Sequence, residues 1–335
     1  MKYCYPLLFA IALLTITTRL NAQKIQVIET SKPVSIRGLS VVNNKVAWLS
    51  SSSGYTAITH DGGLTWKWQQ VKGFEKADFR DIEAFSDKDA IIMSSGTPAL
   101  ILKTTDGGVN WELKYRNDDK AYFLDAMDFS DKKHGLILGD PIDKKFLLLE
   151  TNDGGDTWQK LTNLPVAEDG EAAFAASGTC LRMDKEGSVD FVTGGKISRH
   201  IIGGPKYKEW FYDYLPIPQG KESQGAFSLD GFLFVGGDYV KTKEVDGTAV
   251  YYNPLNSFEN GYESTRIPSG YQSCVENVND KTFLSTGTTG SNITYDNGRT
   301  WQQIDTSSFN VCRKAKNGKL VLLAGDKGKI GILTL

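Results

Sequence analysis

Three features of the sequence predict an all-β fold, specifically a seven-bladed β-propeller. One eight-residue motif occurs four times, each copy is flanked by short strand-like runs, and seven such segments fill the chain. Propeller blades are four-stranded repeats of this kind, about 40–50 residues long. The 335-residue chain is therefore predicted to consist of a leader at residues 1–22 and a single propeller domain at residues 23–335.

The repeated motif has the form Thr-x-Asp-x-Gly-x-(Thr/Asn)-Trp and is called the Asp box below. Its four aspartates and tryptophans are Asp61 and Trp66, Asp106 and Trp111, Asp153 and Trp158, and Asp296 and Trp301. Successive aspartates are 45, 47 and 143 residues apart. Because the third interval is close to three of the others, two repeats with degenerate boxes are predicted between Trp158 and Thr294.

Each residue type in the box has a structural use. The Asp carboxylate is expected to accept backbone N–H groups of its own turn, the Gly permits a positive φ, and the Trp packs beside the blade. A ring of blades would hold the boxes far apart, so they cannot converge on one substrate. The boxes are therefore predicted to stabilise the fold and not to form the functional site.

The seven blades are predicted to begin near Arg37, Arg80, Leu124, Ser177, Gly225, Tyr271 and Phe309. The seventh has only three strands before the chain ends, whereas "KIQVIET" (Lys24–Thr30) is a lone strand at the other terminus. Pairing the two termini in one blade would close the ring and remove an exposed strand edge. The N-terminal strand is therefore predicted to join the last blade.

The N-terminus has the pattern of a secretory signal, with Lys2, an apolar run from Pro6 to Ile16, and Asn21-Ala22 before Gln23. We expect cleavage after Ala22 and export to the periplasm or beyond, without a membrane span and as a monomer. The net charge of −2 gives no general attraction to nucleic acid. Nucleic acid is therefore not an expected partner.

No metal or cofactor site is expected. The histidines (His60, His134 and His200) are not at ligand spacing, and no Cys-x-x-Cys pair occurs. Cys274 and Cys312 hold matching positions on inner strands of neighbouring blades, so a disulfide would be possible after export. Two small buried hydrophobic residues are the favoured interpretation, and Cys180 makes the count odd.

Loops at one end of the inner strands are the expected place for a ligand. The residues expected to bind a ligand there are Arg37, Arg80, Asp81, Asp238, Tyr239, Tyr271 and Ser273. The predicted strand boundaries place Asp140, Ser177 and Asp326 in the same loops. Arginine, carboxylate and tyrosine together would suit a polar pocket. The alternative is that these loops are polar because they meet water, and that the arginines knit neighbouring blades.

An enzyme remains the second possibility. A glycoside hydrolase needs two carboxyl groups facing each other across a cleft. The residues that would carry such chemistry are Asp81, Glu83, Asp125, Glu171 and Tyr271.

The four boxes, together with "FRDIEAF", "GDP", "AFAASGT", "GGDY" and "PSGYQS", resemble the exported Asp-box (BNR) propellers related to the photosystem II stability/assembly factor. The resemblance covers nearly all of residues 23–335. It implies a seven-bladed, non-enzymatic assembly factor that binds its client through an arginine-rich patch, of which Arg37 and Arg80 would be part. Bacterial relatives are often labelled glycosyl hydrolases or oxidoreductases.

Sialidases also carry Asp boxes, but they resemble this chain less. Their pattern implies six blades, three arginines on a carboxylate and a Tyr/Glu nucleophile pair, whereas here only "SIRG" around Arg37 approaches the opening motif and its Pro is missing. The sequence thus predicts an exported binding or assembly module for an anionic glycan or a protein client. The alternative is a sialidase-like glycoside hydrolase or lyase acting on an acidic glycan.

Overall fold

Seven antiparallel sheets form the blades of a β-propeller in the computed structural model, which describes residues 24–253, 255 and 261–334. The predicted leader and its cleavage site lie outside these residues. Within them there is no α-helix, and two 3-10 turns occur, at Pro205–Tyr207 and Asp326–Gly328. No helix in the described ranges is long and apolar enough to cross a membrane.

The first described strand is β1 (Lys24–Glu29). Blade 1 follows with β2 (Ile36–Val41), β3 (Ala47–Ser51), β4 (Tyr55–Thr59) and β5 (Lys67–Gln70). Blade 2 has β6 (Phe79–Ala84), β7 (Ala90–Ser94), β8 (Ala99–Thr104) and β9 (Glu112–Asn117). Blade 3 has β10 (Leu124–Phe129), β11 (Gly135–Ile142), β12 (Lys145–Thr151) and β13 (Gln159–Lys160).

Blades 4 and 5 share an extra piece of sheet. Blade 4 comprises β15 (Leu181–Met183), β16 (Val189–Val192), β18 (Arg199–Gly203) and β19 (Trp210–Tyr214). Blade 5 comprises β20 (Gln224–Asp230), β21 (Leu233–Asp238), β22 (Ala249–Tyr252) and β23 (Tyr262–Thr265). Its sheet is extended by two short strands from earlier in the chain, β14 (Glu171–Ala172) and β17 (Gly194–Gly195). Strand β14 lies in the connection between blades 3 and 4, and β17 lies between the second and third strands of blade 4, so both segments are tied to blade 5.

Blade 6 comprises β24 (Cys274–Asn279), β25 (Thr282–Gly287), β26 (Gly290–Thr294) and β27 (Gln302–Asp305). Blade 7 comprises β28 (Val311–Lys314), β29 (Val321–Ala324) and β30 (Lys329–Thr334), and β1 completes it. Strand β1 runs antiparallel to β30 from the pair Lys24↔Thr334 to the pair Glu29↔Lys329. The predicted fold class, blade number and terminal closure are all confirmed.

Each predicted blade start lies at the observed inner strand or a few residues from it. The two repeats predicted to have degenerate boxes are blades 4 and 5. The largest offset is at blade 4, where the prediction began at Ser177 but the strand begins at Leu181. Ser177 instead donates its hydroxyl to the Ser273 carbonyl across the channel, at 2.7 Å.

In each box the Asp accepts a backbone N–H of its own turn, but the buried N–H group of the turn is accepted by another residue. In the first box, Asp61 accepts the Thr65 N–H at 2.9 Å and the Thr65 hydroxyl at 2.6 Å. Asp61 itself is exposed, and the buried N–H of Gly63 is accepted by Thr59 at 3.0 Å. The buried anchor of the box is therefore the leading Thr, whereas the Asp orders the exposed half of the turn.

The box also fixes each blade to the one before it. The motif glycine of the third box is Gly155. It has a φ of 83°, and a Cβ there would overlap Ile91 of the preceding blade. The Trp111 ring of the second box meets Trp48 of the preceding blade edge to face, with centroids 6.3 Å apart. These contacts explain why Gly and Trp recur at fixed places in the motif.

Inner strands are joined by side chains that accept a backbone N–H from the next blade, an arrangement we call inter-blade staples. One level of staples consists of Asp81 to Met127 (2.7 Å), Ser228 to Val275 (2.9 Å) and Cys274 to Cys312 (3.3 Å). A second level consists of Ser40 to Ala84, Asp128 to Met183, Asp230 to Asn277 and Glu276 to Lys314, at 2.6–3.0 Å. The polar residues inside these strands thus hold neighbouring blades together.

The two thiols of Cys274 and Cys312 lie 3.6 Å apart and are not bonded. Both side chains are fully buried, as is Cys180. Their place in the staple between blades 6 and 7 matches the predicted positions on neighbouring inner strands.

Candidate functional site

Four side chains reach one cavity because the inner strands bulge at their positions. Strand pairing skips a residue between Ile36 and Gly38, and likewise in blades 2, 3 and 5. The skipped residues are Arg37, Arg80, Asp125 and Phe227. A β-bulge leaves its extra residue outside the ladder and re-aims the side chain. The repeated bulge is therefore the structural device that builds the site.

The cavity, called the arginine cavity below, has a volume of about 470 Å³ and lies at the end of the propeller where the inner strands begin. It brings together five of the predicted site residues: Arg37, Arg80, Asp125, Tyr271 and Ser273, with Tyr239 at its rim. Asp326, which the strand plan also placed here, lines the cavity as well, and its Oδ1 accepts the Ser35 hydroxyl at 2.6 Å. Of Arg37, Arg80, Asp81 and Tyr271, which were expected to face one pocket, the structure places all but Asp81 at this cavity.

Arg37 is the least compensated charge in the cavity. Its Nη1 donates to the Ala176 carbonyl at 3.2 Å, and no acidic side chain of the described residues forms an ion pair with it. Burial, and next the positive charge of Arg80, lower its pKa, while Asp326 acts in the opposite direction. A partly buried guanidinium beside a second positive charge is favourable only if an anion can approach it.

Arg80 is held from behind and points the rest of its guanidinium into the cavity. Its Nε donates to Asp78 at 2.7 Å, and its Nη1 lies 3.5 Å from the Ala175 carbonyl. The guanidinium also lies 5.9 Å from the centre of the Phe123 ring. Both arginines therefore rest on the segment 173–176 and keep further N–H groups directed to the cavity.

Aromatic rings form one wall. Phe174 stacks on Phe227 with centroids 3.9 Å apart, and Tyr271 meets Phe227 edge to face at 4.9 Å. Tyr239 is 48% exposed and extends the same wall toward solvent. Burial raises the pKa of Tyr271 well above its ordinary value. A phenol in that state is not an activated nucleophile, so Tyr271 provides surface and a hydroxyl.

Asp125 is one of two acids that line the cavity, and its surroundings are unusual. Its side chain is fully buried, and the Ala175 N–H lies close enough to lower its pKa, although neither carboxyl oxygen has a hydrogen-bond partner of good geometry among the described residues. Burial, followed by the charge of Asp140, raises its pKa well above the ordinary value, while Arg80 acts in the opposite direction. Burial also raises the pKa of Asp140 to about 6, although its Oδ1 accepts the Ala173 N–H at 3.2 Å.

Two of the residues predicted to bind ligand lie elsewhere. Asp81 is 1% exposed below the cavity, where it serves as a staple, and burial raises its pKa to about 8. Asp238 is 2% exposed and accepts the Val240 and Lys241 N–H groups of its own loop. Because both carboxylates are occupied by backbone donors, neither is directed at a ligand. Ser273 lines the cavity, but its hydroxyl donates to the Asn310 carbonyl.

The remaining catalytic candidates are also dispersed. Glu83 pairs with Lys316 at the opposite end of the propeller, in a second cavity of about 410 Å³. Glu171 is buried against Arg199, whose Nε donates to it at 2.9 Å. Of the four carboxyl groups suggested for catalysis, Asp125 alone lines the arginine cavity. These four carboxyl groups therefore do not supply the facing pair that the hydrolase alternative requires.

Sequence reasoning missed the residues that shape the cavity most. Phe174 and Phe227 form its aromatic wall, and Arg199 pairs with Glu171, itself a predicted candidate, to hold the segment that carries Phe174. A Phe inside an apolar strand looks like core, and only the bulge shows that Phe227 turns toward the channel. No group of His, Cys, Asp and Glu among the residues the structure describes could hold a metal ion.

Comparison with known proteins shows a similarity to photosystem II assembly factors. The family model described as "Photosynthesis system II assembly factor YCF48" matches residues 17–120. The Photosystem II assembly lipoprotein Ycf48 of Synechococcus sp. (strain CC9902) is 23% identical over 294 residues, which cover 84% of this chain and 80% of the relative. The chain is thus similar to the BNR-type propellers related to the photosystem II assembly factor.

Solved structures agree with this BNR-type propeller in fold. A structure titled "YCF48 bound to D1 peptide" superposes with a TM-score of 0.68 at 16% identity, covering 93% of this chain and 95% of the other. YCF48 from Cyanidioschyzon merolae gives 0.62 at 16% identity, with 93% and 98% covered. A structure of U3-55K gives 0.63 at 11% identity, again with 93% and 98% covered. At these identities the likeness establishes the fold alone.

Proposed function

We propose that this protein is an exported, non-enzymatic binding module that holds an acidic group of a protein client in the arginine cavity. The observation that carries the proposal is Arg37, a largely buried guanidinium without an ion pair among the described residues. Arg80 lies beside it with unused N–H groups. Two guanidiniums with fixed orientation are suited to a carboxylate or phosphate.

Relatedness favours a protein client over a glycan. The Synechococcus relative is named as an assembly lipoprotein, and one structural neighbour is titled as a complex with D1 peptide. The aromatic wall of Phe174, Phe227 and Tyr271 would pack against apolar parts of such a peptide. The lipoprotein name of the relative and the leader-like residues 1–22 support export.

The test is a binding screen with acidic peptides, sialylated glycans and uronic glycans against the wild type, Arg37→Ala and Arg80→Ala. We expect the peptides to bind and each variant to weaken binding about 10- to 100-fold, the effect of losing a hydrogen bond to a charged group. Arg266→Ala is the matched control, because Arg266 is 74% exposed and pairs with Asp246 on the surface. If the wild type binds no anionic ligand and the two variants lose only stability, the arginines are structural.

A further inference from the structure

The cysteine pair between blades 6 and 7 has no part in the proposed binding site. Cys274 and Cys312 have no exposed surface, and their Sγ atoms lie 3.6 Å apart. The Cys312 N–H donates to the Cys274 Sγ at 3.3 Å, which fixes where the two side chains meet. Because a disulfide bond is about 2.05 Å long, the sulfurs need to approach by about 1.5 Å to form one. The ring thus holds two thiols against each other.

A staple between inner strands does not by itself require cysteine. At the same level, Ser228 accepts the Val275 N–H at 2.9 Å and Asp81 accepts the Met127 N–H at 2.7 Å. An oxygen accepts a hydrogen bond well, whereas a thiol sulfur is a weak acceptor. What a pair of thiols offers and an oxygen acceptor lacks is the capacity to form a covalent bond between two blades.

The position of the pair is one where a cross-link would matter. The two ends of the described chain meet in blade 7, where β1 is held by its pairing with β30 and by the packing of Ile25. A bond from Cys274 to Cys312 would tie blade 7 to blade 6 and close a loop between residues 38 positions apart. Closing such a loop restricts the unfolded chain and so stabilises the folded one.

We propose that Cys274 and Cys312 form a disulfide between blades 6 and 7 when the protein folds in an oxidising compartment, and that the free thiols are its reduced form. The inference shares with the proposed function only the export of the protein. Disulfides form and persist in exported proteins. Since neither thiol is exposed in the closed ring, the bond forms before blade 7 docks on blade 6.

The oxidant is an external disulfide, such as oxidised glutathione or a protein dithiol oxidant. The thiolate of one cysteine attacks a sulfur of that disulfide and releases one external thiol. The second cysteine then displaces the other external thiol and completes the bond between the blades. Two electrons pass to the external disulfide, and the protons of the two cysteines end on the two released thiols.

Peptide mapping of the full chain tests the bond directly. The protein is refolded from guanidinium in a mixture of oxidised and reduced glutathione, unfolded again, alkylated and digested with trypsin without reduction. We expect mass spectrometry to find the peptides 267–281 and 300–313 joined until a reductant is added. Cys180 is the internal control, because it is equally buried and pairs with no other cysteine in the described part of the chain. Its peptide should not be joined to either of the others.

The matched variant is Cys274→Ser, since a serine there can accept the Cys312 N–H as Ser228 accepts that of Val275. The wild type should melt about 5–10 °C higher after oxidative refolding than after reduction. The variant should melt at one temperature under both conditions, and Cys312→Ala gives the same comparison if Cys274→Ser does not fold. Separate peptides with both cysteines alkylated before reduction would overturn the cross-link. An equal effect of reduction on the wild type and a folded variant would do the same.

Discussion

Replacing Asp81 tests whether the buried acid below the cavity is a staple or part of the site. Its Oδ1 accepts the Ile82 N–H at 2.8 Å and its Oδ2 accepts the Met127 N–H at 2.7 Å, and the side chain is 1% exposed. Asp81→Ala leaves two buried N–H groups without their acceptor, at about 1–3 kcal/mol each. Because the acid itself is costly to bury, we expect a net loss of about 2–4 kcal/mol.

Blade 5 supplies a matched control for this change. At the same level Ser228 accepts the Val275 N–H at 2.9 Å, so a serine can form the staple. Asp81→Ser should therefore restore the hydrogen bond to Met127 and recover about half of the loss. The assay is urea denaturation followed by circular dichroism, combined with the affinity for the acidic ligand. Neither variant should change that affinity much, since Asp81 does not line the cavity.

The pH dependence gives a second readout on the same residue. Burial raises the pKa of Asp81 to about 8, so the folded state favours the protonated acid. The stability that this acid contributes is complete below its ordinary pKa of 3.8 and is lost as the pH rises through about 8. The difference between wild type and Asp81→Ala should thus be larger at pH 5 than at pH 9. An alanine variant that unfolds like the wild type yet no longer binds the ligand would refute the staple interpretation.

Two further predictions concern closure and the boxes. Ile25→Ala should cost about 2–4 kcal/mol in urea denaturation, because Ile25 of β1 is 4% exposed in the core of blade 7, whereas Val27→Ala, at a position 38% exposed, should cost under about 1 kcal/mol. Equal effects would show that the terminal strand is not packed as described. Hydrogen bonds from Thr65 lower the pKa of Asp61 to about 2, and those from Thr157 lower that of Asp153 to about 2. The stability that these carboxylates contribute is present above the ordinary pKa of 3.8 and is lost as the pH falls through about 2. The double variant Asp61→Asn with Asp153→Asn should therefore lose less of its free energy of unfolding than the wild type as the pH is lowered from about 5 to about 2. An equal loss in both proteins would contradict this.

The arginine cavity combines a repeated scaffold with local irregularity. Regular strands alternate their side chains between two faces, and a uniform ring of inner strands would present the same face of every blade to the channel. The bulges at Arg37, Arg80, Asp125 and Phe227 interrupt that alternation at one level in four blades. The positions of the bulges thus determine which side chains of the inner strands line the cavity.

The sequence alone determined the architecture, because its information is local and repeated. The four boxes give the blade period, and the Thr, Asp, Gly and Trp of each box interact mainly within one turn or with the adjoining blade. The lone strand at Lys24–Thr30 and the incomplete last blade require each other, since an unpaired edge is unfavourable. These constraints can be read without coordinates.

The tertiary structure alone decided which polar residues form the site. Arg80 and Asp81 are adjacent in sequence, yet the bulge sends the first to the cavity and the second into a staple with Met127. Glu83, two residues further along, reaches the opposite end of the propeller. Phe174 lies in the connection between blades 3 and 4 and Phe227 lies in blade 5, so the two rings, 53 positions apart in sequence, stack only in the folded chain. A one-residue change in strand pairing reverses the direction of a side chain, and that pairing depends on contacts between distant segments that no local pattern records.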